Sequence, residues 1–269
     1  MSEVVLSEAV SFLQEEPSSK YDFIYIDPPY YCQRNFGEFQ DTWESVDHYM
    51  AMLNPCIEHA HRVLKPNGNI CVHVDWHASH HVRLGLEKVF GEDNFRNEIV
   101  WCYNSGGASK KHFSRKHDNL FVYAKNADLC KFNLVREPYP RDYGDREGFH
   151  PEGRIMNDWW QIGILSTTAK ERNGYPTQKP LELLERILKA YTDEGDLVLD
   201  FFCGSGTTGE AARRLNRKFV LVDRNPKAVE TSKKRLRNTS LDLLAELDQE
   251  LGLFDYEPNR KDNSSGTAD

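Results

Sequence analysis

The sequence predicts an α/β fold, a mostly parallel sheet with helices on both faces and one inserted lobe. Three observations carry that prediction. Tyr21–Ile26 is an apolar run cut off by Asp27-Pro28-Pro29, the pattern of a buried strand stopped by two prolines. Leu197–Asp200 and Lys218–Val222 read as strands joined by a helix over about 208–215; such a crossover makes two strands parallel and puts the helix on a face of the sheet. From 104 to about 175 the periodicity dissolves into glycine, proline, charge and aromatics around a single strand signal at Leu120–Ala124, which marks the lobe. A chain of 269 residues holds one such domain and excludes two large ones.

The remaining elements follow in order. Residues 46–64 have helical composition, with Pro55 expected to kink or interrupt the helix. Lys65-Pro66-Asn67-Gly68 is a turn signal before a strand at Asn69–Val74. A helix from about Ala78 to Phe90 exits through Gly91-Glu92-Asp93-Asn94, and Glu98–Tyr103 is the next strand. After the lobe, Leu181, Leu183, Leu184, Ile187, Leu188 and Tyr191 recur at helical spacing behind Pro180, and Asp193-Glu194-Gly195-Asp196 turns the chain into Leu197. The expected divisions are 1–103, 104–175, 176–240, and an acidic helix with a tail over 241–269, disordered by composition after Tyr256.

The net charge of −8 is the wrong sign for a nucleic-acid binder, but it is segregated. Residues 211–238 carry ten lysines and arginines against Asp223 and Glu230, whereas 241–269 is acidic. The basic run reads equally as a solvated helix face or as a nucleic-acid contact. Lys110, Lys111, Arg115 and Lys116, with His112 and His117 and the flanking Gly106 and Gly107, compose a second basic segment suited to phosphate contact. The six cysteines include no C-x-x-C pair, which argues against a zinc site and a disulfide framework. No apolar stretch approaches the length of a membrane span, and the first residues lack a basic start, so a soluble cytoplasmic protein is expected.

Gly204-Ser205-Gly206-Thr207-Thr208-Gly209 spells G-x-G-x-x-G between a strand and a helix, with Asp223 closing the next strand. The glycines permit close approach of backbone to a nucleoside, and the acid accepts ribose hydroxyls. That geometry serves a nicotinamide cofactor and S-adenosylmethionine alike. Few residues remain after the loop to build a second dinucleotide half, which favours the latter.

Asp27-Pro28-Pro29-Tyr30 supplies a different chemistry. An exocyclic base nitrogen is a poor nucleophile because its lone pair is delocalised into the ring. A carboxylate and a backbone carbonyl accepting its two N–H groups would aim that lone pair at an electrophilic methyl group. Asp27 and the Pro28 carbonyl provide the two acceptors. A base taken out of a duplex also needs an aromatic face to stack on, and Tyr30 offers one.

These segments resemble the amino-group DNA methyltransferases. Asp200-Phe201-Phe202-Cys203-Gly204-Ser205-Gly206-Thr207 is similar to their cofactor loop, with Phe201 where proline is usual, and Asp27-Pro28-Pro29-Tyr30 to their catalytic signature. The order, catalytic segment first and cofactor loop last, resembles the permuted β group, in particular type III modification subunits and solitary adenine-N6 methyltransferases. Leu64-Lys65-Pro66-Asn67-Gly68-Asn69-Ile70, Asn97-Glu98-Ile99-Val100-Trp101 and Tyr175-Pro176-Thr177-Gln178-Lys179-Pro180 are similar to further segments of that group. The resemblance implies a Rossmann-like S-adenosylmethionine-dependent methyltransferase fold with an inserted target-recognition lobe. It makes Asp27, Pro28, Pro29 and Tyr30 catalytic. It puts Asp200, Phe202, Gly204, Ser205, Gly206, Thr207 and Asp223 on S-adenosyl-L-methionine, joined by Glu8, Thr177 and Lys179. It implies double-stranded DNA as partner, with adenine N6 the expected target and cytosine N4 the alternative. A homodimer and a restriction partner stay open; a nicotinamide oxidoreductase and a catalytically silent DNA-binding module are the rivals from other classes.

Three other groups attract attention. Pro55-Cys56 has the letters of a cytosine-carbon nucleophile but lies within a helix signal, where packing explains it. His77, His80 and His81 have no further metal ligand at suitable spacing beyond Asp75, so exposure at a helix start is the expectation and no metal is. Trp159 and Trp160 carry no DNA signal of their own and read as a core or lobe contact.

Overall fold

The computed structural model describes residues 2–37, 39–104, 107–139 and 148–251, without the side chains of 241, 242 and 244–251. Gly106 and the tail after Tyr256 lie outside the described residues.

The chain begins with β1 (Glu3–Leu6), α1 (Ala9–Glu15) and β2 (Tyr21–Ile26), then a two-residue ribbon, β3 (Arg34–Asn35) and β4 (Gln40–Asp41). Next come α2 (Val46–Val63), β5 (Leu64–Val74), α3 (Ser79–Phe90), β6 (Phe95–Cys102) and β7 (His117–Ala124). A second small ribbon, β8 (Arg136–Glu137) and β9 (Arg154–Ile155), precedes β10 (Trp159–Gln161). The chain then forms α4 (Leu181–Tyr191), β11 (Leu197–Asp200), α5 (Thr207–Arg214), β12 (Lys218–Asp223) and α6 (Pro226–Leu251).

Eight strands make one sheet in the order β1-β12-β11-β2-β5-β7-β6-β10. All neighbours run parallel except β7, which is antiparallel to β5 and to β6. Alternation along the central strands separates two cores. Ile24 and Ile26 face α1, α2 and α3 through Leu13, Leu53, Ile57 and Val82. Phe23 and Tyr25 face α4, α5 and α6 through Leu184, Ile187, Ala212 and Leu236. Every residue of β2 is buried, and apart from Asp22 its run is apolar rather than alternating, as expected of a strand covered on both faces.

Several expectations change. Pro55 does not interrupt α2, which runs unbroken over Val46–Val63. The Lys65–Gly68 segment is not a free turn but the start of β5, entering across a register shift between Tyr21 and Phe23. The reason is local: Lys65 Nζ bonds both oxygens of Asp22 at 2.9 and 2.8 Å, and a Cβ on Gly68 would lie 2.8 Å from the Asp22 carbonyl oxygen. Within 104–175, β7 lies in the middle of the main sheet and β10 at its edge. Leu120–Ala124 thus marks the end of an eight-residue strand rather than an isolated one.

Much of the basic run at 211–238 is structural. Arg213 bonds the Leu236 carbonyl and Ser240, Arg214 pairs with Glu210 at 3.0 Å, and Arg217 bonds Thr192. Arg235, almost fully buried, pairs with Glu210 and donates to Thr207 Oγ1 at 3.0 Å. These cations fasten α6 and α5 to the body of the molecule. Among the described helices none is long and apolar enough to cross a membrane.

Candidate active site

Parallel strands end together, so the loops after β2, β11 and β12 share one rim of the sheet, where α/β folds hold ligands. An open cavity lies there. It is lined by Asp27, Pro28, Pro29 and Tyr30 from the β2 loop, by Asp200, Phe202, Gly204, Ser205 and Thr207 from the β11 loop, and by Asp223 after β12. Glu8, Thr177 and Lys179 line it too; Gly206, Lys110, Lys111, Arg115 and Lys116 do not.

Asp27 is engaged on both carboxylate oxygens. Its Oδ1 accepts the Tyr30 hydroxyl, and its Oδ2 pairs with Lys179 Nζ at 2.5 Å, across 152 residues of sequence. Lys179 thus faces the β2 loop, and its ammonium also sits 5.0 Å from the Tyr30 ring centroid. Burial, with Asp27 second, pushes the Tyr30 phenol well above its ordinary range, so it stays protonated and donates.

The loop after Tyr30 is bent through left-handed residues, Tyr31 at φ 61° and Gln33 at φ 56°, a conformation costly for non-glycine residues. Asp41 holds it there. Its buried carboxylate accepts the backbone N–H groups of Tyr30, Tyr31 and Cys32 at 2.9–3.0 Å and the Trp43 indole at 2.8 Å. Four donors on one carboxylate saturate it. Nothing local in the sequence marks Asp41, because the backbone groups that it holds lie nine to eleven residues earlier.

Behind Asp27 runs a buried polar chain that the sequence reading missed. His73 Nδ1 lies 2.8 Å from the Tyr25 hydroxyl and 3.9 Å from Asp27 Oδ1, and His73 Nε2 lies 3.1 Å from Asp118. Tyr103 donates to the other Asp118 oxygen at 2.9 Å. Burial would raise the Asp118 carboxyl, but His73, Lys179 and Tyr103 together outweigh it and the net shift is downward. The available signal was a histidine and an aspartate inside otherwise apolar strands.

In the β11 loop, Gly204 and Gly206 have φ of +46° and +77°. A Cβ on Gly206 would meet Ser232 Oγ at 2.7 Å and Ser232 Cα at 2.9 Å, and one on Gly204 would meet the Tyr175 ring at 3.1 Å. Glycine at 206 is therefore demanded by close packing on α6 as well as by backbone conformation. Asp223 closes the loop, accepting Gly204 N–H at 2.9 Å and Asn225 N–H at 2.8 Å. Burial raises its carboxyl, partly offset by those two bonds. Asp200, buried beneath, accepts Thr208 Oγ1 and Phe202 N–H, and burial pushes its carboxyl up to about 7.

Residues 171–181 fold onto this loop. Asn173 Nδ2 donates to the Ser205 carbonyl at 3.0 Å and Thr207 Oγ1 to the Lys179 carbonyl at 3.3 Å, while Glu171 Oε2 accepts Leu181 N–H at the start of α4. Glu8, at the N-cap of α1, accepts Val10 and Ser11 N–H groups, leaving it at the cavity wall as a helix cap. Elsewhere His77 Nδ1 bonds Asp75 at 2.7 Å, Trp160 is buried and Trp159 half exposed, and Cys56 packs inside α2.

Residues 21–234 match a protein-family model described as DNA methylase. The chain is similar to the type II methyltransferase M.HpaI of Haemophilus parainfluenzae, 31% identical over 233 residues that cover 87% of this chain and 73% of that protein. It is also similar to the DNA adenine methyltransferase YhdJ of Escherichia coli, 29% identical over 251 residues, covering 87% and 82%. Among solved structures, PvuII DNA methyltransferase (cytosine-N4-specific) shares the fold with a TM-score of 0.69 at 19% identity, over 87% of this chain and 86% of that one. The M1.HpyAVI–SAM complex does so with a TM-score of 0.60 at 22% identity, over 88% and 99%.

Proposed function

Because the chain belongs to the DNA methylase family, we propose that it transfers a methyl group from S-adenosylmethionine to the N6 amino group of an adenine extruded from duplex DNA. The observation that carries this reading is Asp27 at the carboxyl end of β2, in one cavity with Tyr30 and the β11 glycine loop. The adenine preference is supported by the relative named as a DNA adenine methyltransferase.

The cavity suits the cofactor chemically. Asp223 uses one lone pair of each carboxylate oxygen on the backbone, which leaves acceptor capacity for ribose hydroxyls. Phe202 offers an aromatic wall, and Asp200, Gly204, Ser205 and Thr207 line the cavity together with Glu8 and Thr177. When bound, S-adenosylmethionine supplies an electrophilic methyl group on sulfonium.

The protein's own residues position the amine. Asp27 has taken up one bond on each oxygen, so each keeps a lone pair with which to accept an N–H; the Pro28 carbonyl accepts the other. Two such bonds orient the nitrogen lone pair and favour its pyramidal form. Tyr30, held through its hydroxyl and through Asp41, presents its ring to the base. No covalent enzyme intermediate is required.

Tritiated methyl transfer to unmethylated genomic DNA tests the activity, and sequencing of modified bases separates N6-methyladenine from N4-methylcytosine. The latter is the second reading, kept by the fold shared with a cytosine-N4-specific enzyme. Asp27→Ala is expected to lower transfer by about 100- to 1000-fold while keeping S-adenosylmethionine binding. Normal transfer by that variant would remove Asp27 from the chemistry.

A further inference from the structure

The segment between β6 and β7 carries a side chain that neither the core nor the cavity uses. Phe113 is fully exposed, at 100% of its possible surface. A single exposed aromatic is ordinary; its setting is not. Lys110 and Lys111 precede it, and Arg115 and Lys116 follow. The turn that presents it is tied locally: Ser109 N–H donates to Ser114 Oγ at 3.1 Å, and Lys111 N–H to Ser109 Oγ at 3.2 Å. Arg115 is laid on the Trp76 ring, 3.7 Å from its centroid, two residues beyond the end of β5.

Position gives the setting its meaning. Since β7 is antiparallel to β5, with Val74 opposite Asn119, this segment rises from the rim that bears Asp27. Its root is two residues from Asp118, which is joined through His73 to within 3.9 Å of Asp27. Extruding a base leaves a gap in the duplex stack, and closing that gap restores part of the lost stacking energy. Tyr30 belongs to the extruded base inside the cavity and cannot also fill the gap. An apolar ring flanked by phosphate-seeking cations has the chemistry of side chains inserted between base steps.

We propose that Phe113 is the wedge that enters duplex DNA at the position vacated by the target base, with the neighbouring cations on the phosphates. This rests on the reading of the protein as a base-extruding DNA methyltransferase. Phe113 faces the stack left behind rather than the reacting amine, so its contribution depends on the target base being paired.

The test uses the full chain and duplexes bearing the sequence mapped from methylated DNA, with the target base either paired or mispaired. On the paired duplex Phe113→Ala should lose about tenfold or more in single-turnover methylation, by the scale of base–aromatic stacking. On the mispaired duplex it should return to within about twofold of wild type, and Phe113→Trp should keep activity on both. Cofactor binding, measured in parallel, reports that the variant is folded. An unchanged rate on the paired duplex overturns the wedge, as does an equal loss on both duplexes. Failure of the wild-type chain to methylate either duplex sinks the parent DNA-methylation reading instead, and the wedge falls with it.

Discussion

Asp41 touches no reacting group in the proposed chemistry, yet three consecutive backbone N–H groups of the loop after Pro29 end on it. Removing it releases two left-handed residues and the ring of Tyr30 together. Asp41→Ala should therefore lower kcat by about 100-fold through misplacement alone, with cofactor affinity kept; an unaffected kcat would mean the loop holds its shape without the carboxylate. Asp200 yields a second expectation. Its carboxyl ordinarily titrates at 3.8 and is raised to about 7 in the fold, so between these values the folded state keeps a proton that the unfolded state gives up. That contribution to stability is present below 3.8 and lost as pH rises to about 7. The melting temperature of Asp200→Asn, relative to wild type, should therefore climb through that window and level off above it. A difference that does not vary with pH would show that Asp200 is already ionised in the fold. At this scale the sequence disclosed what is contiguous: Asp27 with Tyr30, and the glycine loop with Asp223. Asp41 and the Lys179–Asp27 pair act across folded distance with no local pattern to announce them, and His73 and Asp118 showed only as polar residues within strands.

Among the elements, central strands were legible because burial on two faces leaves an apolar run, and amphipathic helices because burial on one face leaves a period in the residues. What escaped was pairing. The direction of β7 is a property of its neighbours, and β1, only four residues long, carries too few side chains to show a period. The Lys65–Gly68 segment had the composition of a turn but was recruited into β5 by Asp22, on the adjacent strand. Gly68→Ala probes that recruitment. The new methyl would collide with the Asp22 carbonyl, and a loss of about 1–3 kcal/mol is expected, read as a lower denaturant midpoint. Gly163→Ala, where a Cβ meets nothing, is the matched control and should leave the midpoint in place. Equal midpoints for the two variants would mean that the bulge adjusts freely.

For the molecule as a whole, a net charge of −8 leaves DNA approach to local fields. Folding removes much of the 211–238 cationic run from consideration, since Arg213, Arg214, Arg217 and Arg235 are spent on internal partners. The exposed Lys110 and Lys111 stand on the segment that rises from the same rim of the sheet as Asp27. If each meets a phosphate, replacing both by alanine should flatten the dependence of log affinity on log salt by about 1.8, at 0.9 per contact. A slope equal to that of wild type would place the phosphate contacts elsewhere.

The sheet order has a bearing on how the protein is made. β2, buried throughout, needs β11 along one edge, with Val198 opposite Phe23, and β1 needs β12, with Glu3 opposite Val220. During synthesis β2 leaves the ribosome about 10–35 seconds before β11 exists to pair with it, at the usual rates of elongation. Through that interval a strand made of Tyr21, Phe23, Ile24, Tyr25 and Ile26 offers an open apolar edge to whatever is nearby. The first half of the nascent chain is thus exposed to mispairing until the last two strands exist to dock onto the first two.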